Sequence, residues 1–265
     1  MKRKFAENLL WILATYIFVR ILSWFSGLQF GLKTDLLWLL GFAVTIVFMQ
    51  FILGWRGKFK LGIIFFVLIA LHEFGHILAA NLIGIQTKGF AFYGILGGAN
   101  IPDSVERWKD FMVAFGGPLL GTLAALGVMK LKNIRFLPEG LEKVAWFAIV
   151  INVFNLLPVY PLDGGRMLVA IGASINPYFI NWLFVTSWAI LLLTSLVLGI
   201  FFKNWFFGFF IVIFSIFWGR IEESNITGEP MGFAGILTAI LIYIGFIVFA
   251  VRIIKRFSPD RKLKK

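Results

Sequence analysis

The chain has 265 residues, of which 60% are hydrophobic and 14% charged, with 32 Phe and 10 Trp and a mean hydropathy of +0.91; so low a charged fraction, against ~25% in ordinary soluble domains, excludes a soluble globule and predicts an integral membrane protein. With no cysteine, disulfides, thiolate metal sites and cysteine nucleophiles are excluded, and any metal must take nitrogen and oxygen ligands. The net charge of +12 gathers at the ends of apolar runs and in the tail from Arg252, where it orients spans and contacts anionic lipid; no basic patch interleaved with aromatics argues for nucleic acid.

About 20 mostly apolar residues cross a bilayer. Candidate spans cover roughly 9–30, 36–54, 61–83, 111–129, 144–170, 181–201, 204–219 and 232–254, and the thin separation of the sixth and seventh makes the expected total about six to eight. The basic run Lys2-Arg3-Lys4 ahead of the first span resembles a signal peptide. No small-residue cleavage site follows it, so the first run is expected to be a retained span. Arg20 inside it either snorkels to the interface or faces protein. Basic residues concentrate at Lys2–Lys4, Arg56–Lys60, Lys130–Lys143 and the tail, which favours both termini in the cytoplasm. The direction of the third span depends on every earlier span being real.

Between the third and fourth spans, Ile85 to Lys109 carries Gly89, Gly94, Gly97 and Gly98 among the strand formers Phe90, Phe92, Tyr93 and Ile95. A short β-hairpin or re-entrant loop is expected near 85–104, the alternative being a plain surface loop. The fifth span is broken: Pro158 and Pro161 cannot continue a helix, and Gly164-Gly165 follows. Irregular backbone at membrane depth is tolerated only where protein buries it or where it lines a wet cavity, so the break points toward a site; a simple kink, or a short loop between two helices, is the plainer alternative. Apolar runs consume nearly the whole length, and one membrane domain over 1–265 is expected.

The only two histidines of the chain, His72 and His76, stand four residues apart around Glu73 in Leu71-His72-Glu73-Phe74-Gly75-His76-Ile77. On a helix these histidines share a face and reach one metal ion, with the glutamate placed to act on its water. The alternative is a pair of core histidines beside a buried glutamate. Ionisable groups inside a span cost at least ~2.5 kcal/mol each, which disfavours keeping three of them without a function. The pattern points to hydrolysis within the bilayer.

A catalytic zinc takes three protein ligands and leaves one position open. Of the 13 acidic residues, only Glu73 and Asp163 lie within strongly apolar runs. Asp163 sits in the broken fifth span, in Asn155-Leu156-Leu157-Pro158-Val159-Tyr160-Pro161-Leu162-Asp163-Gly164. Taken alone it reads as a turn residue before Gly-Gly; taken with the histidines it is the third ligand of one Zn2+ per chain.

These two motifs, His72-Glu73-Phe74-Gly75-His76 and Asn155…Pro158…Leu162-Asp163-Gly164, resemble those of the site-two protease family of intramembrane zinc metalloproteases. The resemblance implies an all-α polytopic membrane protein with a three-helix catalytic core over about 61–170, leaving the flanking spans unassigned. Phe115-Gly116-Gly117-Pro118-Leu119-Leu120-Gly121 resembles the family's Gly-Pro segment. Many members carry Asn or Ser where this chain has Gly121, so a polar role there is absent or supplied elsewhere. The plainer reading, a small-residue packing face at Gly117 and Gly121, is favoured. The family tends to add PDZ-like or nucleotide-sensing domains. This chain is expected to carry none, which leaves substrate selection to the membrane domain or to a regulatory membrane partner.

The resemblance implies a transmembrane protein as substrate, and the expected location is the cell membrane of a prokaryote. His72, His76 and Asp163 are the metal ligands, and Glu73 is the general base. Asn155 is either a donor to the developing oxyanion or substrate backbone, or an ordinary helix amide. Of three rival readings, a purely structural membrane protein leaves the buried acids unexplained. A transporter or metal permease would use the same buried ionisable groups, and a different membrane zinc protease would take a glutamate, here Glu222 or Glu223, as third ligand.

Overall fold

The computed structural model describes residues 2–25, 39, 42–43, 45–47, 58–85, 89–93, 96–100, 106–131, 134, 137–160, 162–202 and 228–257. Most of the expected second span (36–54), the seventh (204–219) and the pair Glu222-Glu223 lie outside these residues. In chain order the elements are α1 (Lys2–Phe25), α2 (Phe59–Leu82), β1 (Gly89–Tyr93), β2 (Leu96–Asn100), α3 (Arg107–Lys130), α4 (Leu141–Asn155), α5 (Asp163–Ile175), α6 (Phe179–Phe202) and α7 (Phe233–Phe257). Among the described residues, α2, α3 and α7 are each long and apolar enough to cross a membrane. The protein is an integral membrane protein, mostly helical.

The chain divides into two compact units. The first comprises Met1–Pro102, Gly116–Val153 and Phe249–Lys265; the second comprises Asp103–Phe115 and Phe154–Val248.

The core of the first unit forms around α2. Phe65, Phe66, Leu68, Ile69 and Ile77 of α2 meet Ala125 and Met129 of α3, Val144, Ala145 and Ile149 of α4, and Val19 of α1. The rings of Phe65 and Phe147 lie 5.5 Å apart. A helix apolar all round belongs inside protein or lipid, and 67% of the most apolar window of α2 is buried. Glycines let α3 approach α2 closely. A Cβ at Gly75 would collide with the Gly116 backbone, and one at Gly116 would collide with the Gly75 carbonyl and Ala79. Without such small residues two helices in lipid cannot bring their backbones together.

Helix α2 ends in a Schellman cap. Gly84 takes the left-handed φ of +79°, its N–H reaches Asn81 O at 3.2 Å, and the Ile85 N–H reaches Ala80 O at 2.9 Å. The last carbonyls of the helix are thereby satisfied. Beyond the cap, β1 and β2 form an antiparallel hairpin with Gly89 opposite Asn100 and Tyr93 opposite Leu96. In the segment that the sequence left open between hairpin, re-entrant loop and surface loop, residues 89–93 and 96–100 therefore pair as antiparallel strands.

The expected fifth span over 144–170 proves to be two helices: α4, which lies in the first unit up to Val153, and α5, which lies in the second together with residues 156–162 that separate them. Pro158 has no N–H to give to a helix and stops α4. The exposed backbone of the break then finds partners elsewhere in the unit. Tyr243 of α7 donates its hydroxyl to Leu156 O at 2.7 Å, and the Tyr160 N–H donates to Ser187 Oγ of α6 at 2.9 Å. Buried backbone groups away from water require such partners. Gly164 and Gly165 let α5 begin flush against the break, because a Cβ at either would overlap the backbone of Leu156 to Tyr160. The outer faces are apolar. Leu237, Leu241, Ile244 and Val248 of α7 are exposed at 48%, 63%, 54% and 42%. That stripe repeats along one side of the helix and faces lipid, since a water-facing stripe of this kind would aggregate.

Candidate metal centre

Because α2 is a regular helix, His72 and His76 stand one turn apart on one side of it, with Glu73 between them; all three are buried, at 6%, 4% and 7% exposure. The two Nε2 atoms face each other at 3.3 Å. Two nitrogen ligands, each ~2.05 Å from a zinc ion and separated by the tetrahedral angle, lie ~3.3 Å apart. The imidazole pair therefore has the separation that one tetrahedral ion requires.

The room for these rings comes from glycines on α3. A Cβ at Gly117 would occupy the place of the His76 ring, overlapping Nε2 and Cε1 and standing 2.9 Å from Cδ2. A Cβ at Gly121 would stand 2.6 Å from Asn152 Oδ1 and 3.0 Å from His72 Cβ. The small-residue face expected at these positions thus serves the histidines as much as helix packing.

Asp163 is the first residue of α5 and is buried at 7% exposure. Leu162 before it is extended, so the carboxylate stands at a helix N-terminus, where negative charge is favoured. His72 and His76 lie in the first unit and Asp163 in the second; these three buried side chains could hold one metal ion. Two imidazoles and one carboxylate are the donor set of a zinc site with an open position, and the three buried residues fit such an ion.

Asn155, the sequence's candidate for an oxyanion donor, is the last residue of α4 and is partly buried. One turn earlier on the same helix, Asn152 makes a contact that sequence reasoning missed. Its Oδ1 lies 2.6 Å from His72 Nδ1. The available signal was an amide in the middle of an apolar helix, three residues before Asn155.

No protein-family model matches the chain. A zinc metalloprotease of Methanocaldococcus jannaschii is 29% identical over 114 residues, covering 41% of this chain and 33% of that protein. A relative from Synechocystis sp. is 32% identical over 114 residues, covering 41% of this chain and 30% of its own length. The chain spans about a third of the length of these relatives. Among solved structures, the site-2 protease from Methanocaldococcus jannaschii matches with a TM-score of 0.55 and 22% identity, covering 74% of this chain and 95% of that one. The chain has the site-2 protease fold, and on that fold it carries a buried His72, His76 and Asp163 able to hold one metal ion.

Proposed function

We propose that this chain is an intramembrane zinc metalloprotease that hydrolyses a peptide bond within or near a transmembrane segment of a substrate protein. The observation that carries the reading is the buried imidazole pair of His72 and His76, whose Nε2 atoms face each other at 3.3 Å, with Asp163 as the candidate third ligand. Its likeness to named zinc metalloproteases supports the same reading.

His72 and His76 would hold one zinc ion through imidazole nitrogen, and Asp163 would hold it through its carboxylate. When bound, the ion supplies a Lewis acid at the scissile carbonyl and makes hydroxide available near neutral pH. Glu73, next to His72 on α2, takes the proton of the attacking water and returns it to the leaving amine nitrogen. Asn155 donates to the developing oxyanion or to the substrate backbone. A helical substrate hides its carbonyls in its own hydrogen bonds, so it must unwind before attack; burial of the site keeps water other than the reactant away. The protein acts as one catalytic domain in the cell membrane of a prokaryote, and substrate choice rests with the membrane helices or a membrane partner.

Metal analysis of detergent-purified protein, combined with a cleavage assay on single-span substrates, tests the reading. Wild-type protein should hold one zinc and cut, His72→Ala should hold none, and Glu73→Gln should keep zinc and lose cleavage. Zinc-free wild type, or cleavage by the Glu73→Gln protein, overturns it.

A further inference from the structure

We infer that Asn152 is a positioning residue for the metal centre: its side-chain amide fixes the tautomer and ring orientation of His72 so that Nε2 presents its lone pair to the ion. The inference rests on the metalloprotease reading and goes beyond it, to a residue outside both motifs.

The argument begins with the two ends of the amide. Asn152 is buried at 3% exposure in α4. Its Nδ2 donates to Ala148 O at 3.0 Å. Flipping the amide would set Oδ1 against that carbonyl, acceptor facing acceptor, so Oδ1 is the end that faces His72. At 2.6 Å from His72 Nδ1, an oxygen that only accepts requires a hydrogen on that nitrogen. The neutral imidazole carries one N–H, so Nε2 is left as the acceptor. That same Nε2 faces its counterpart on His76 at 3.3 Å. The backbone of α4 thus orients the amide, the amide selects the His72 tautomer, and the tautomer leaves the ligand atom on the side of the second histidine.

Space for this relay is provided by Gly121. Any side chain there would start 2.6 Å from Asn152 Oδ1 and 2.9 Å from Nδ2, which would force the amide away. Hydrogen bonds of this kind orient metal-bound histidines and raise their basicity, and their loss commonly costs ~10–100-fold in metal affinity.

The test uses the full chain, purified in detergent, stripped with a chelator and titrated with zinc against a competing chelator. Asn152→Leu and Asn152→Ala should bind zinc ~10–100-fold more weakly than wild type, and Asn152→Asp, which keeps an acceptor oxygen in place, should bind close to wild type. Cobalt added to the stripped proteins gives a second readout. The visible spectrum of a tetrahedral site should appear in wild type and Asn152→Asp and be altered in Asn152→Leu, which a packing role alone would not cause. If Asn152→Leu and Asn152→Ala bind zinc as tightly as wild type, or if Asn152→Asp loses as much as Asn152→Leu, the inference is overturned while the metalloprotease reading stands. If wild type binds no zinc, it is the metalloprotease reading that fails.

Discussion

Adding one methyl group at Gly117 should separate metal binding from folding. A Cβ there would stand 2.9 Å from His76 Cδ2 and overlap Nε2 and Cε1, whereas non-bonded carbons settle ~3.5–4.0 Å apart. The ring must therefore retreat by ~1 Å, several times the ~0.2 Å within which a metal site holds its ligand distances. A misplacement of ~1 Å commonly costs ~100-fold in function, equivalent to ~3 kcal/mol of binding free energy. The fold bears a smaller burden, ~1–3 kcal/mol for overpacking at one site. Gly127 on the same helix α3 provides the control, because nothing lies within 4 Å of a Cβ built there. Gly117→Ala should lose zinc affinity by ~100-fold in chelator competition and lose cleavage with it; Gly127→Ala should change neither. Wild-type zinc affinity in Gly117→Ala protein would refute the placement of His76 as a ligand beside α3.

Two further outcomes follow from the same geometry. Asp163→Asn keeps an oxygen but removes the charge, and should weaken zinc binding by at least ~10-fold, since ligating oxygen is held best as carboxylate; undiminished zinc affinity would point to a different third ligand. Tyr243→Phe removes the hydroxyl that donates to Leu156 O at 2.7 Å and leaves that carbonyl without this donor, at a cost of ~1–3 kcal/mol. It should lower the thermal unfolding midpoint of the detergent-solubilised protein, and an unchanged midpoint would show that α7 does not hold the break between α4 and α5.

What could be read in advance was whatever depends on local covalent spacing. Helical periodicity alone places His72 and His76 on one side of α2 with Glu73 between them. Pro158 alone forbids a continuous fifth span, and the scarcity of acids inside apolar runs singles out Asp163. Composition alone requires a lipid environment, in which only helices or closed barrels satisfy the backbone. The division of 144–170 into α4 and α5 was half legible: the break was marked by Pro158, but the sequence could not choose between a broken span, a kink and a short loop between two helices.

The remainder depends on which helices approach one another, and how closely. The contact between Asn152 and His72 joins residues 80 positions apart, and no spacing rule connects them. Gly117 and Gly121 look alike in sequence, yet one makes room for the His76 ring and the other for the Asn152 amide. Tyr243 and Ser187 carry no motif, but they satisfy the backbone that Pro158 released. Such roles come from the crossing of packed helices, where a shift of an ångström changes which atoms meet. Residue identity and order therefore determined that the chain sits in lipid and which groups have the chemistry to hold a cation; tertiary packing alone decided which neighbours aim those groups, because hydrogen bonds and close contacts act only over a few ångströms.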